Sequence, residues 1–489
     1  MASAGARIVM LAGECVPFAK VGGLADVLGA LPRELEKLGY HVTIIIPKYG
    51  SIDLERFGFQ RLSEFDSGSF EVYRSTLPGS SVPVFLVGND HYFGRRGIYT
   101  DPETGWDFPD QADRWIHFQR SAMDFISASL GPVDVLHCHD HQAGLVPAYL
   151  ERLYRSHPAF TSTGTVFTIH NMGYQGVFPG DTMSRTGFNT AEFFPLSPFE
   201  FYGMLNFMKV GAVFADSVTT VSETYAWEIQ QGPEFGYGLE GVVRSRVEPP
   251  IGILNGIDYG VWNPATDPTL FANYSVADLT GKRINKEGLF RDLGLDLSRI
   301  DRPLLTMISR IDVQKGFDLV VAILDDLLSQ EISFVLLGSG NKETERQLAS
   351  VIDGHPGKAV FTSGYDDRLA HRIEAAADIF LMPSKYEPCG LNQMYSMRYG
   401  AVPVVRATGG LADTVREFNA ETREGTGFRF LPYDSFHFSE AIARALRYWE
   451  NAEQWRCIVS NGMQLDFSWA RSATRYAEVY QSVQKRRQF

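Results

Sequence analysis

The 489-residue chain lacks several features that mark particular classes of protein. Its four cysteines are scattered and form no C-x-x-C pair, which argues against a disulfide framework or a zinc site and suits a reducing compartment. No apolar run approaches the roughly 18 to 20 residues of a membrane span. Residues 1–7 show no signal-peptide pattern. The sequence therefore predicts a soluble intracellular protein without a membrane partner.

Positive charge is also scarce. The net charge is −13 and no basic block is present, which argues against nucleic acid as the main partner. An anionic ligand would have to be met by a few locally placed cations, and these become candidate site residues. The length exceeds what one hydrophobic core sustains, so two or three domains are expected.

The N-terminal half opens with an alternation that is typical of a Rossmann-like βαβ unit. An apolar strand over residues 7–13 leads into a loop with Lys20 and Gly22-Gly23, and a helix over residues 24–38 precedes a strand over residues 41–46. Unpaired N–H groups of the two glycines, the helix N-terminus and Lys20 could together hold a phosphate. Such glycines also occur for packing alone.

Two later strands of this half end in polar residues. Asp140 and His170 each follow an apolar strand, and the carboxyl ends of parallel strands are where such sheets bind ligands. Both are therefore candidate substrate contacts. His137, His139 and His141 alternate and could share one face as a metal site, but their spacing matches no known zinc motif, so no metal site is predicted.

The segments that follow carry weaker patterns. Residues 174–203, rich in Phe, Pro and Gly, are predicted to be irregular and to border a cleft. Residues 232–241 contain four glycines and are predicted to form a mobile loop. The Pro and Gly density of residues 248–258 indicates a connection between domains.

In the C-terminal half the strand and helix alternation restarts. Arg310 and Lys315 flank a loop between a strand over residues 303–308 and a helix over residues 317–329. Two cations beside a glycine at a strand-to-helix switch, in a chain this acidic, predict a phosphate site. Surface charges are more often solvated caps.

The stretch of residues 382–393 is the predicted centre of the site. It follows an apolar run, residues 375–381, that predicts a buried strand, and it precedes a helix over residues 391–400. Glu387 thus lies with backbone N–H groups at a strand-to-helix switch. The sequence of residues 22–26 recurs at residues 409–413, which suggests two similar α/β lobes.

These motifs, in this order, resemble the family of bacterial glycogen synthases and plant starch synthases, which are ADP-glucose:α-1,4-glucan glucosyltransferases. They are Lys20-x-Gly-Gly-Leu, His170-Asn171, Arg310 with Lys315-Gly316, Glu387-Pro-Cys-Gly-Leu391 and Thr408-Gly-Gly-Leu411. The resemblance runs from Arg7 to about Tyr480. It implies an α/β GT-B-like fold, in which two Rossmann-like parallel-sheet domains face each other across a deep cleft. The implied domains are residues 1–252, the acceptor-side starch synthase catalytic domain, residues 253–466, which bind the nucleotide sugar, and residues 467–489, a helix returning to the first domain.

The resemblance also implies a function. The chain would transfer glucose from ADP-glucose to the non-reducing end of an α-1,4-glucan such as glycogen, amylopectin or a malto-oligosaccharide, with retention of configuration and without a metal or other cofactor. Its location would be the bacterial cytoplasm, or the plastid stroma for a mature plant or algal enzyme. Two alternatives stay open: a non-catalytic glucan-binding scaffold, and another GT-B enzyme such as a phosphorylase or a sucrose- or trehalose-forming transferase.

By the same resemblance, the catalytic residues are Lys20, His170, Arg310, Lys315 and Glu387. The donor-binding residues are Gly22, Gly23, Asp140, Asn255, Tyr365, Cys389, Gly390, Leu391, Thr408 and Gly409, with Tyr365 stacking on adenine. Glu14 and Asp26 are placed on the acceptor side. One position departs from the family, since Asn392 stands where many members have threonine.

Overall fold

Two β-sheets with mainly parallel strands organise the chain, one in each of two units. The computed structural model describes residues 5–65 and 69–487. The first unit is Met1–Gly256 with Trp469–Phe489, and the second is Ile257–Ser468. The first four residues, on which the expectation of no signal peptide partly depends, lie outside the described residues.

The strands of the first unit are β1 (Arg7–Leu11), β2 (His41–Pro47), β3 (Gln60–Arg61), β4 (Glu71–Thr76), β5 (Pro83–Gly88), β6 (Val135–His139), β7 (Gly164–Ile169), β8 (Val177–Pro179), β9 (Glu200–Phe201), β10 (Met204–Asn206), β11 (Ser217–Thr220) and β12 (Ile251–Gly252). Its helices are α1 (Gly23–Lys37), α2 (Asp90–Phe93), α3 (Gln111–Ser129), α4 (Val146–Tyr149), α5 (Met183–Thr186), α6 (Phe207–Phe214), α7 (Glu223–Glu228), α8 (Pro233–Gly236) and α9 (Glu240–Arg244).

Nine of these strands form one sheet in the order β12-β11-β7-β6-β1-β2-β5-β4-β3. The pairs from β12 to β5 are parallel, and β4 and β3 add an antiparallel edge. Its central strands are apolar and buried along nearly their whole length, as expected for strands covered on both faces. The chain passes from β1 to β2 on one side and later to β6 on the other, so the strand order reverses beside β1.

The second unit repeats this architecture. It comprises α10 (Thr280–Leu293), β13 (Leu304–Ile308), α11 (Phe317–Ser329), β14 (Ser333–Gly338), α12 (Lys342–Asp353), β15 (Ala359–Ser363), α13 (Asp367–Ala376), β16 (Ile379–Met382), α14 (Asn392–Arg398), β17 (Val402–Arg406), α15 (Gly409–Thr414), β18 (Phe428–Phe430), α16 (Ser435–Trp449) and α17 (Ala452–Met463). The sheet order is β15-β14-β13-β16-β17-β18, and every pair is parallel. Here the order reverses between β13 and β16.

The last helix, α18 (Trp469–Arg487), packs within the first unit. The Tyr480 hydroxyl lies 2.8 Å from Nδ1 of His137 on β6. Arg487 forms ion pairs with Asp216 at 2.7 Å and with Glu151 at 2.6 Å. The helix begins at Trp469, two residues into the segment 467–489 that was predicted as a returning helix. Among the described residues, no helix is both long enough and apolar enough to cross a membrane.

Three predictions of local structure are wrong in part. Residues 232–241 contain α8 and the start of α9, because Pro233 suits a first helical position and buried Leu239 and Val243 anchor the segment. Residues 174–203 contain β8, α5 and β9, and β8 and β9 pair with β10 in a small antiparallel sheet. The strand predicted over residues 375–381 is shorter, because Ala375 and Ala376 end helix α13, as the high helix propensity of alanine favours.

Candidate functional site

A buried carboxylate, that of Glu14, organises the loop after β1 in the first unit. Its Oε2 accepts hydrogen bonds from the N–H groups of Val21 and Gly22, at 2.5 and 2.8 Å. Its Oε1 accepts one from the Tyr99 hydroxyl at 2.6 Å. The expectation that Gly22 offers an unpaired N–H group is therefore wrong, because the protein's own carboxylate occupies the position that a helix N-terminus makes favourable for an anion.

Lys20 lies on the same loop. Its Nζ forms an ion pair with Oδ1 of Asp26, in the first turn of α1, at 2.7 Å. The two predicted residues, Lys20 as a catalytic residue and Asp26 on the acceptor side, are therefore partners. Half of the lysine side chain is exposed, so this pair contributes little to stability. Gly23 is the first residue of α1.

Asp140 follows β6 at the same carboxyl edge of the sheet. Its φ of 54° is unusual for a residue other than glycine, and such strained backbone conformations are found most often at functional sites. Oδ1 accepts a hydrogen bond from the backbone N–H of His170 at 2.8 Å, which brings the ends of β6 and β7 together. Burial raises the pKa of this carboxyl to about 7, although the N–H groups of His170 and Asn171 oppose the shift.

His170 is held by a second histidine. Its Nε2 lies 3.0 Å from Nδ1 of His139, the last residue of β6. Burial lowers the pKa of His170 to about 3 and that of His139 well below its ordinary value, so both rings are neutral near pH 7. Within residues 5–65 and 69–487, Nε2 of His139 is buried and has no hydrogen-bond partner.

The three alternating histidines bond to protein groups. The rings of His137 and His139 share one face, with centroids 4.0 Å apart. His137 contacts the hydroxyls of Tyr480 and Thr168, and His141 Nδ1 lies 2.9 Å from the Tyr174 carbonyl oxygen. In the described part of the chain, no group of three or more His, Cys, Asp or Glu side chains has an arrangement for a metal.

Asn255 lies just beyond β12 at the same edge of the sheet. It is buried, and its Oδ1 has no hydrogen-bond partner among the described residues. A buried amide oxygen without a partner is costly, so a ligand donor there would stabilise it. This residue belongs to the first unit.

In the second unit, Lys315 and Glu387 form an ion pair. Nζ lies 2.6 Å from Oε2, and the side chains are 19% and 7% exposed. The Ser384 hydroxyl donates to the same oxygen at 3.0 Å. The structure thus brings two predicted catalytic residues, separated by 72 positions in sequence, into direct contact. Lys315 neutralises Glu387, and the pair presents a fixed dipole at the carboxyl edge of the sheet.

Close backbone contacts hold the loops around this pair. Gly316 has a φ of 75°, and a Cβ there would lie 2.1 Å from the Pro383 carbonyl oxygen. Gly409 has a φ of 44°, and its Cβ would lie 2.0 Å from the Glu387 carbonyl oxygen. Only glycine fits at either position. The loops after β13, β16 and β17 therefore meet, and Glu387 lies at their junction.

The other predicted residues of this unit occupy the same edge of the sheet. Arg310 is largely exposed, and its guanidinium lies 3.7 Å from Asp312. Tyr365 follows β15, exposes most of its ring and donates a hydrogen bond to Asp367 at 2.9 Å. Cys389, Gly390, Leu391 and Thr408 lie in the loops that meet at Glu387.

Asn392, which departs from the family pattern, makes a hydrogen bond between two elements of the second unit. Its Nδ2 donates to the Ile308 carbonyl oxygen at 2.6 Å and so ties α14 to the end of β13. Sequence reasoning missed Tyr99 and Ser384 and considered His139 only as a metal ligand. The position of Ser384, three residues before Glu387, was the one available signal, since Tyr99 reaches Glu14 across 85 positions.

Comparisons with known proteins identify the family. The starch synthase catalytic domain model matches residues 7–245, and the model for glycosyl transferases group 1 matches residues 297–458. The glycogen synthase of Pseudothermotoga lettingae is 44% identical, with 99% of this chain and 100% of that protein covered. The glycogen synthase of Thermotoga maritima is also 44% identical, over 98% and 99% of the two chains.

Solved structures agree. The catalytic domain of starch synthase IV from Arabidopsis thaliana, bound to ADP and acarbose, superposes with a TM-score of 0.89 at 34% identity and covers 98% of this chain and 100% of its own. A sucrose-phosphate synthase from Thermosynechococcus elongatus, at 17% identity and a TM-score of 0.60, shares the fold alone. These matches confirm the predicted GT-B-like fold class. The chain belongs to the glycogen and starch synthase family of glycosyltransferases.

Proposed function

We propose that this chain transfers glucose from ADP-glucose to the non-reducing end of an α-1,4-glucan with retention of configuration. The observation that carries the proposal is the Lys315–Glu387 ion pair at 2.6 Å, at the point where the second sheet reverses its strand order. Sheets of this type bind ligands at that point. The relative bound to ADP and acarbose supports a nucleotide-sugar donor and a glucan acceptor.

The cations of the second unit would act on the leaving group. Breaking the bond between glucose C1 and the diphosphate oxygen loads negative charge onto ADP. Arg310 and Lys315 are proposed to stabilise that charge more in the transition state than in the bound donor, which lowers the barrier. We propose that no metal or organic cofactor is needed, because fixed cations supply this stabilisation.

The neutral groups of the first unit would hold the sugar. His170 and Asp140 are hydrogen-bonding groups whose neutral forms are favoured by burial, and Asn255 offers an amide oxygen. Such groups suit glucose hydroxyls. Glu387 is proposed to accept from hydroxyls through the oxygen that Lys315 leaves available.

Retention of configuration is proposed to occur by attack on the same face of the sugar. The acceptor 4-hydroxyl forms the new bond to C1 while the diphosphate departs, and the hydroxyl proton passes to the departing phosphate oxygen. A covalent route would need a free carboxylate nucleophile. Glu387 is paired with Lys315, and Asp140 is buried and accepts backbone N–H groups, so neither suits that role.

A donor panel tests the proposal. ADP-glucose, UDP-glucose and glucose 1-phosphate would be offered with a glycogen primer, and radiolabelled glucose incorporation would be measured. We expect transfer from ADP-glucose with inorganic phosphate neither consumed nor released. Efficient use of glucose 1-phosphate would indicate a phosphorylase instead. No transfer from any donor, with retained binding to glycogen, would indicate a scaffold. Cytoplasmic location stays a prediction from the cysteine pattern.

A further inference from the structure

A short turn in the first unit holds two large apolar side chains almost fully in solvent. Leu196 is 91% exposed and Tyr202 is 84% exposed. Both residues have a left-handed backbone, with φ of 67° and 50°. This conformation disfavours residues other than glycine, and a side chain that is almost fully exposed adds little packing to offset that cost. Two bulky apolar residues in one turn that are both exposed and left-handed indicate a function rather than a requirement of folding.

The turn, residues 194–203, is rigidly built, and we name it the apolar turn. The Glu200 carboxylate accepts hydrogen bonds from the N–H groups of Leu196 at 2.9 Å and of Gly203 at 2.6 Å. One side chain thus fixes the backbone at Leu196 and at the residue after Tyr202. The buried ammonium of Lys209, on α6, donates to the carbonyl oxygens of Ser197, at 2.8 Å, and of Glu200. A ligand would therefore meet a surface that is already ordered.

The apolar turn is continuous with the loops that carry the proposed sugar contacts. It includes β9, which pairs with β10, and β10 pairs with β8. Just before β8, Gly176 lies against the His141 ring, and the Tyr174 carbonyl oxygen lies 2.9 Å from His141 Nδ1. His141 follows Asp140 directly. Two exposed rings therefore adjoin the small sheet: Tyr174, whose carbonyl oxygen bonds to the residue after Asp140, precedes β8, and Tyr202 lies between β9 and β10.

We propose that the apolar turn binds the α-glucan acceptor away from its reacting end, with Tyr202 and Leu196 against the apolar C–H faces of glucose units. The inference rests on the proposed function, because a polymer held at its growing end must leave the transfer site over neighbouring surface. The ligand is uncharged. Glu200, the charged residue of the turn, and Lys209 on α6 bond to the backbone of the turn, which leaves apolar side chains as the contact surface.

Acceptors of two lengths test this site. Steady-state kinetics with ADP-glucose would be measured on glycogen and on maltotriose for the wild type, Tyr202→Ala and Leu196→Ala. We expect KM for glycogen to rise about fivefold in each variant, the size of one aromatic or apolar contact, with kcat and KM for maltotriose unchanged. Phe436→Ala is the matched control, because Phe436 is also an exposed ring, 69% exposed, but lies on α16 of the second unit.

Glycogen affinity gel electrophoresis without donor would measure binding independently of turnover, and both variants should migrate faster than the wild type. Leu196→Gly, which suits the left-handed backbone, should lose affinity without a lower melting temperature. Wild-type KM and mobility in both variants would overturn the inference. Equal losses on maltotriose would also overturn it, by placing Tyr202 at the reacting end. A changed sedimentation coefficient with unchanged glycogen affinity would instead make the turn a contact between copies. Absence of transfer by the wild type would overturn the proposed function. Gel electrophoresis would still show whether the apolar turn binds glycogen.

Discussion

The two units present different chemistry at corresponding edges of their sheets. In the first, burial favours the neutral form of the residues at the strand ends: His139 and His170 are uncharged rings, and the pKa of Asp140 is raised to about 7. In the second, a lysine and a glutamate form a nearly buried ion pair, with an exposed arginine on the same loop. The same architecture thus supports uncharged hydrogen bonding in one unit and fixed charge in the other.

The difference indicates that two units of similar architecture can recognise different parts of one substrate. A phosphate group needs cations, whereas a sugar needs donors and acceptors in neutral form. In the first unit, the Glu14 carboxylate accepts the N–H groups at the N-terminus of the helix that follows β1. The loop after β13 in the second unit carries the cations. We therefore propose that the cations of the second unit meet the diphosphate, and that the neutral groups of the first unit, together with Glu387, suit the glucose hydroxyls.

Removal of the lysine should have the largest effect. Lys315→Ala is expected to lower kcat by about 10² to 10³, the range seen when one preorganised electrostatic group is lost. It also leaves Glu387 unpaired, which should lower the free energy of unfolding by about 2–4 kcal/mol. Steady-state kinetics and thermal melts would measure the two effects.

The double variant Lys315→Ala/Glu387→Gln separates them. It removes the unpaired charge, so the melting temperature should recover towards that of the wild type while kcat stays low. Recovery of kcat together with stability would show that Lys315 acts only by neutralising Glu387, and the proposed role on the leaving group would be wrong.

A smaller effect should follow from changes at His139, which positions His170. Because Nε2 of His139 has no partner in the described residues, we expect its proton on Nδ1, donating to His170 Nε2. His139→Leu removes that donor and should lower kcat/KM about tenfold, the value of one hydrogen bond. His139→Asn places an amide donor nearby and should restore most of the activity.

Nitrogen-15 NMR of the His170 ring would distinguish this role from a packing role. The wild type and His139→Asn should show the proton of His170 on Nδ1. His139→Leu should show a mixture of tautomers. An unchanged tautomer in His139→Leu would contradict the positioning role, whatever happens to the rate.

The smallest expected effect concerns stability and pH at Asp140. Its folded pKa of about 7 lies above the ordinary value of 3.8, so the folded chain holds a proton that the unfolded chain releases in this range. Stability should therefore fall as pH rises from about 4 to about 7. Asp140→Asn removes this contribution and should raise the melting temperature at pH 7.5 by about 2–5 °C, with little change at pH 4. The same difference in melting temperature between Asp140→Asn and the wild type at pH 4 and at pH 7.5 would contradict the buried, protonated state.

The sequence predicted the parts of this picture that depend on local pattern. Apolar runs and glycine positions indicated strands β1, β6, β7, β13 and β16, and the loops after these strands were predicted as site loops. The short helices α8 and α9 were missed because Gly236 and Gly241 lie inside them, and glycine-rich sequence is typical of a loop.

Contacts distant in sequence could not be predicted. Nothing in a local pattern indicates that Glu14 occupies the N–H of Gly22 with support from Tyr99, or that Lys315 pairs with Glu387. The Lys315–Glu387 contact arises because parallel strands bring their carboxyl ends to one edge, and the Tyr99–Glu14 contact joins positions 85 residues apart. The sequence therefore identified residues of the correct chemistry, and the sheet topology determined their partners.

The most direct test of the division between the two units is titration calorimetry with ADP, which carries the diphosphate but no sugar. We expect Arg310→Ala and Lys315→Ala each to weaken ADP binding about tenfold, the value of one charge-assisted contact. His170→Asn and Asp140→Asn should bind ADP within about twofold of the wild type, since their hydrogen bonds go to glucose. Equal loss of ADP affinity in the first-unit variants, or none in the second-unit variants, would contradict it.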